Sequence, residues 1–356
     1  MQCSKCHEVF ALEEKPSKLY WMSEIEELNQ KGEKFIQALG YSLQESGGVN
    51  FIEVEDTKSF FVQNFQLISD SFTQMESEAI RLHIQNDGEN FTFQSVLGAK
   101  TLQRYLNLIA DSEFFDIINN SSLTSYFQPI IKADDRTIYG YEALIRGVKE
   151  DGSLMFPDIL FEKSARNDLN FKLDRMCRES ALKTAATKKI QQKVFINFLP
   201  TSVYDPEFCL RSTVKWAKQL EFDPKNIIFE VVETESVKDK THLIKILDYY
   251  KKEGFSIALD DVGEGYSSLN MLVDIRPDII KVDRNIITNI DTDKLKQSTY
   301  RALYNLAKES GIAVLAEGVE TKGELEMVES IGVDYIQGYY FGKPNAEPLR
   351  KIQNGI

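Results

Sequence analysis

Residues 256–283 read SIALDDVGEGYSSLNMLVDIRPDIIKVD, and the fold turns on how this stretch is parsed. SIALDD and DIIKVD are short apolar runs rich in Val, Ile and Leu, too brief for helices, and each ends in polar residues. Reading outward, VFINF (194–198), NIIFEVV (226–232), AVLAEG (313–318) and DYIQGY (334–339) repeat the pattern, with amphipathic segments between them. Their polar end residues Asn197, Glu230, Asp260, Lys281, Glu317 and Gln337 fall at intervals of 33, 30, 21, 36 and 20 residues. That is the beat of βα units of about 30 residues. With YGYEALIRG (139–147) and FQPII (127–131) placed ahead of them, about 230 residues are available, near the ~250 typical of a (β/α)8 barrel. A doubly wound open sheet would place a Gly-rich phosphate turn after its first strand, and the sequence has none. The expected class is α/β, a TIM-like (β/α)8 barrel with a small N-terminal α+β domain.

The whole chain of 356 residues fits two domains or one large barrel with an appendage. Its 42% hydrophobic and 27% charged residues exclude disorder and small disulfide scaffolds. The 42 basic and 55 acidic residues leave a net charge of −13, which disfavours a nucleic-acid polymer as partner. An acidic protein that handles phosphates needs metal ions. No apolar run approaches 18 residues and the N-terminus lacks an export pattern, so the reading is cytoplasmic, without membrane insertion. Cys3, Cys6, Cys177 and Cys209 are too few and scattered for a disulfide framework, and the last two read as core residues. Cys3-Ser-Lys-Cys6-His7 has haem-attachment spacing, but haem attachment needs export and zinc would need further ligands, so the terminus reads as uncoordinated.

Residues 1–118 read as the α+β domain, regulatory or assembly-forming, with 1–17 flexible. KLYWM and VNFIEVED are strands; helices carry Ile25–Leu39, closed by Gly40, then Phe60–Ile68 and Leu102–Ile109. Ile80, Leu82 and Ile84, then Phe91 and Phe93 across NDGEN, predict a hairpin. The domain's phenylalanines read as core packing, His83 and His242 as surface residues. The polar run NNSSLTS at 119–125 is the expected linker, and 126–356 the barrel.

Closing a barrel brings all the strand-end polar residues to one mouth. Buried polar groups cost several kcal/mol unless paired or metal-bound, and here that cost recurs strand after strand. Glu142, Asn197, Glu230 and Asp260 offer hard oxygen donors suited to Mg²⁺ or Mn²⁺, and Asp261 can reach a second ion. Two ions suit an in-line phosphoryl displacement. Lys281, Glu317 and Glu320 complete a hydrolytic site. Glu317 would accept the proton of water or hold the second ion, and Lys281 would position the water or a phosphoryl oxygen.

From about Ser125 onward the chain resembles the EAL-domain phosphodiesterases of bacterial cyclic di-GMP signalling. The resemblance rests on FQPI, YEALIRG with Glu142-Ala143-Leu144, FINF, FEVVE, the Asp260-Asp261 pair with IKVD, AEGVET and QGYYFGKP, in family order. It implies Mg²⁺- or Mn²⁺-dependent hydrolysis of cyclic di-GMP to linear pGpG, in a homodimer joined through the loop near Asp261. It implies Glu142, Asn197, Glu230 and Asp260 on a first metal. Asp260, Asp261 and Glu317 would hold a second, with Gln337 in its water shell. Arg146 would hold a substrate phosphate, with Gln128 and Asp283 as further substrate contacts. Glu233 would brace the loop after Asp261, and Glu320 would support the site. Where the family's loop reads Asp-Asp-Phe-Gly-Thr-Gly, this chain has Asp260-Asp261-Val262-Gly263-Glu264-Gly265, which removes an aromatic anchor and adds a charge. The alternatives are a catalytically weak or inactive cyclic di-GMP receptor, which would have no need of Glu317 and Lys281, and a barrel lyase or isomerase.

Overall fold

The structure is a computed structural model describing residues 12, 14–86, 90–203, 205–232, 240–263 and 268–352. Two compact units emerge, one running to Asn120 and taking in Glu162–Asp168, the other formed by Ser121–Phe161 and the chain from Leu169 onward.

In the first unit the order is β1 (Ser17–Met22), α1 (Glu26–Ala38), β2 (Gln44–Ser46), β3 (Val49–Val54), α2 (Thr57–Ser71), α3 (Gln74–Ala79), β4 (Arg81–Asn86), α4 (Phe93–Gly98), β5 (Lys100–Thr101), α5 (Leu102–Ala110) and α6 (Ser112–Asn120). The sheet order is β2-β3-β1-β4-β5, with β1 central and antiparallel to both β3 and β4. Phenylalanines 60, 61 and 72 pack with Leu19, Trp21, Ile52 and Leu82 in one core, as composition suggested. The expected hairpin through Phe91 and Phe93 does not form. Phe93 instead opens α4, where the Thr92 backbone N–H donates to Ser95 Oγ at 3.1 Å, and β4 pairs with β1 and β5. Phe91 stacks on Tyr20 at 4.2 Å between ring centres: two aromatics spaced by one residue satisfied different surroundings, a ring stack and a helix start. His83 is half-buried against Tyr20 and Phe91, and His242 is half-buried too, so neither is a plain surface residue.

The second unit is the barrel. It runs β6 (Leu123–Lys132), β7 (Ile138–Val148), β8 (Leu154–Met155), α7 (Pro157–Arg166, whose second half from Glu162 is counted with the first unit), α8 (Asn170–Thr187), β9 (Lys193–Asn197), α9 (Pro206–Cys209), α10 (Arg211–Gln219), β10 (Ile227–Val232) and α11 (Lys240–Lys252). It continues through β11 (Ser256–Val262), α12 (Ser268–Ile275), β12 (Ile279–Val282), α13 (Arg284–Ile287), α14 (Lys294–Glu309), β13 (Ala313–Ala316), α15 (Lys322–Ile331) and β14 (Tyr335–Gln337). The sheet closes because β6 pairs with both β14 and β7, and β8 hangs on β7 as an extra edge strand. One strand departs from a uniform parallel barrel: β6 is antiparallel to both neighbours, since the turn at Asp134–Arg136, with Arg136 at φ 59°, returns the chain directly into β7. Residues 119–125 are divided between the end of α6 and the start of β6, with Ser121 at φ 53° making the break.

Val194, Ile196, Phe229, Val231, Ile257, Leu259, Val314 and Ala316 point outward into the layer shared with the helices. Val262 is completely buried there as well, and Cys177 is buried on α8. The α15 start is fixed by a capping box in which Thr321 Oγ1 accepts from Glu324 N and Glu324 Oε2 accepts from Thr321 N. Part of the AEGVET stretch is therefore a helix start. At Gly338 an added Cβ would lie 1.9 Å from the Val319 carbonyl oxygen, so this crossing of QGYY against AEGVE admits only glycine.

Candidate active site

Strand parity builds the site. Phe195, Ile228, Ala258, Ile279 and Leu315, joined by Ile130 of the reversed strand, form one apolar cluster inside the barrel. Two residues further along each strand, on the same inward face, stand Asn197, Glu230, Asp260, Lys281 and Glu317. Gln337 likewise follows Tyr335, and on β6 the step runs backward from Ile130 to Gln128, opposite Glu142 in the β6–β7 register. A polar layer thus lies on an apolar floor.

The layer has two connected halves. Glu142 Oε1 accepts from Asn197 Nδ2 at 2.9 Å and Oε2 from Gln337 Nε2 at 2.6 Å, while Gln337 Nε2 also reaches Gln128 Oε1 at 3.2 Å. Gln337, expected beside a second ion, is therefore tied to Glu142. In the other half Lys281 Nζ lies 2.6 Å from Glu230 Oε1, 2.9 Å from Asp260 Oδ1 and 2.8 Å from Glu317 Oε1. Lys281 is 1% exposed and Glu230 fully buried. Glu230 Oε1 is paired with the lysine while Oε2 has no donor, so the lysine leaves half of this carboxylate without coordination. Asp261 takes φ 54°, a left-handed turn that brings its carboxylate within 4.8 Å of oxygens of both Asp260 and Glu317.

Burial raises the pKa of Glu230 and Glu317 well above the carboxylate range, with Lys281 opposing the shift. The same causes raise Asp260. Burial disfavours the Lys281 ammonium, yet the carboxylates of Asp260, Glu142, Glu230 and Glu317 hold its pKa well above the usual value. The cluster is over-acidic for one cation. Hard oxygens, a Glu230 oxygen without a donor and surplus negative charge together fit a divalent ion.

The family described as the EAL domain matches residues 112–344. The chain belongs to the EAL domain family. A probable cyclic di-GMP phosphodiesterase of Escherichia coli K12, PdeA, is 30% identical over 235 residues, 65% of this chain and 31% of that protein. PdeG of the same organism, also named a probable cyclic di-GMP phosphodiesterase, is 29% identical over 68% of this chain and 49% of its own. The chain thus spans about a third to a half of the length of these curated relatives. Among solved structures, a standalone EAL protein of Vibrio cholerae O395 in its cyclic di-GMP-bound form is 40% identical, covers 65% of this chain and 96% of its own, and superposes with a TM-score of 0.60.

The remaining expected residues of the EAL barrel fall as follows. Arg146 is buried, with its guanidinium carbon 4.8 Å from the Phe156 ring centre and 5.3 Å from that of Tyr126. Its Nη1 donates to the Ile145 carbonyl, and its buried Nε has no acceptor. An anionic oxygen would satisfy that donor. Asp283 caps α13, accepting from Asn285 N at 2.8 Å. Glu320 is nearly half exposed and faces Arg284 at 3.8 Å. Glu233, Glu264, Cys3, Cys6 and His7 lie outside the described residues. Sequence reading missed the Tyr126 and Phe156 rings beside the Arg146 guanidinium. It also missed Asp174 and Arg178, a fully buried ion pair on α8 whose only sequence signal is opposite charges four residues apart in a helix with an apolar face.

Proposed function

We propose that this chain hydrolyses cyclic di-GMP to linear pGpG with Mg²⁺ or Mn²⁺, lowering the second messenger in the cytoplasm under regulation by its N-terminal unit. The observation that carries the reading is the buried lysine bridging Glu230, Asp260 and Glu317 beside Glu142 and Asn197, in a barrel 40% identical to one that binds cyclic di-GMP. Glu142, Asn197, Glu230 and Asp260 would hold one ion; Asp260, Asp261 and Glu317 would hold another. Bound there, the ions supply charge to the scissile phosphate and lower the pKa of water. Water oxygen attacks phosphorus, the P–O3′ bond breaks, and the product keeps a 5′-phosphate and a free 3′-hydroxyl. Glu317, held 2.8 Å from Lys281 Nζ at the barrel mouth, is the group that takes the proton from water. Lys281 holds Glu317, Glu230 and Asp260 in mutual register, and Arg146 receives a phosphate oxygen on its free Nε. A homodimer through the loop near Asp261 and substrate contacts from Gln128 and Asp283 belong to the same proposal, as do Glu233 and Glu320 as supports.

The test is incubation with cyclic di-GMP and Mn²⁺ or Mg²⁺, with chromatography for pGpG. Formation of pGpG supports the enzyme. Tight cyclic di-GMP binding without product would show a receptor, and neither binding nor product would overturn both readings.

A further inference from the structure

We propose that Asp174, on the helix layer outside the barrel, is a positioning residue that fixes the backbone carrying Asn197; the inference rests on the function proposed above. Asn197 is the last residue of β9. One residue on, Phe198 N still donates to the Glu230 carbonyl at 3.3 Å. At Leu199 the chain leaves the sheet, and its N–H donates instead to Asp174 Oδ1 at 2.8 Å. The other carboxylate oxygen pairs with Arg178 Nη1, whose Nε donates to Thr213 Oγ1 at 3.2 Å. Asp174 and Arg178 are each 1% exposed and Thr213 is fully buried.

A charged pair this deep is a poor device for stability alone, because an apolar pair of similar volume often does as well or better. What apolar side chains cannot supply is an acceptor for the Leu199 N–H. The restraint matters because a cavity of about 200 Å³ lies alongside, lined by Phe161, Cys177, Ala181, Ile196, Phe198 and Leu199 among others. Without the acceptor the segment after Asn197 has apolar space to move into, and the Asn197 amide would shift against Glu142, its 2.9 Å partner.

Two double variants isolate the acceptor. Asp174→Asn with Arg178→Met keeps a carbonyl oxygen for Leu199 N and removes both charges; Asp174→Leu with Arg178→Met removes the acceptor too. The first should keep cyclic di-GMP turnover and Mn²⁺ affinity each within about threefold of the unmodified protein's. The second should lose about 10- to 100-fold in kcat with little change in KM, bind Mn²⁺ more weakly, and exchange its Leu199 amide faster. Equal behaviour of the two would overturn the proposal. If the unmodified protein produces no pGpG, the functional reading falls, while Mn²⁺ affinity and amide exchange still decide this one. If the leucine variant does not fold, the unmodified protein decides: a Leu199 amide exchanging as fast as an unprotected loop amide refutes the clamp.

Discussion

Replacing Lys281 by Met keeps the stem but removes the ammonium that lies within 2.9 Å of Glu230, Asp260 and Glu317. Glu230 has no solvent to turn to, and Lys281 itself is 1% exposed. Breaking a buried ion pair by removing one partner costs about 3–5 kcal/mol. At ~2–4 °C per kcal/mol for a unit of this size, the barrel transition should fall by roughly 10 °C when metal is chelated at pH 8. Lowering the pH lets the stranded carboxyls take protons, and adding Mn²⁺ supplies new positive charge, so either change should return part of the loss. A second substitution, Glu230→Gln, should also return part of it, because the two changes touch the same charge balance and do not add. Circular dichroism melts in EDTA and in Mn²⁺ would measure all of this. If Lys281→Met in EDTA at pH 8 melted within about 2 °C of the unmodified protein, the lysine would not be the counter-ion of this cluster and the reasoning would fail.

Glu142→Ala removes a metal oxygen and leaves the donors of Asn197 and Gln337 without their acceptor; Mn²⁺ affinity and pGpG formation should each drop at least about 100-fold, by calorimetry and chromatography, and unchanged turnover would remove Glu142 from the site. Glu317→Gln keeps the shape but cannot take a proton, so kcat should fall by on the order of 10² while cyclic di-GMP still binds; normal catalysis would assign the base elsewhere. Metal-free stability should fall as pH rises above the ordinary carboxylate range, because Glu230, Asp260 and Glu317 have folded pKa values raised above their unfolded ones. The folded state keeps protons that the unfolded state has released, and that advantage is lost as pH climbs through the folded values. Saturating Mn²⁺ should flatten or reverse this slope in urea titrations, and a metal-free midpoint that rises over the same window would contradict the raised values.

The barrel was legible because its strands are buried on both faces, so each reads as a run of Val, Ile and Leu with one polar residue at its mouth end. Asn197, Glu230, Asp260, Lys281 and Glu317 could be picked out by that interruption alone. Direction was not legible: FQPII has the composition of its neighbours, and only the tight turn at Asp134–Arg136 makes β6 antiparallel. Pairing across the barrel was hidden too, because nothing local to Gln337 says that it hydrogen-bonds Glu142, 195 residues away. In the first unit Phe91 and Phe93 alternate like a strand, yet Thr92 and Ser95 make a helix start that outweighs two aromatics with no third strand position to support them. The boundary between the two units falls between Asn120 and Ser121, inside NNSSLTS, whose residues belong to the exposed end of α6 and the start of β6. Ser125 is polar and yet fully inside.

The position of Lys281 explains why the polar layer can exist before any ion arrives. With an apolar floor beneath it, the layer cannot shed charge downward, and four carboxylates around one buried site would otherwise have to protonate or push the strands apart. Burial first, and repulsion from the neighbouring carboxylates second, raise the pKa values of Glu230, Asp260 and Glu317 although all three share the Lys281 ammonium. On the function proposed above, that crowding would favour a divalent ion, since an incoming ion would relieve repulsion that folding has already imposed. The opposite arrangement, a second lysine in the layer, would stabilise the metal-free barrel and remove the reason to bind metal. Val262 fits the same logic: fully buried among the outward-facing core residues, it anchors β11 directly behind Asp260 and Asp261. The aromatic residue of the related loop is therefore replaced here by a smaller side chain that is still packed, and the acidic pair keeps its footing.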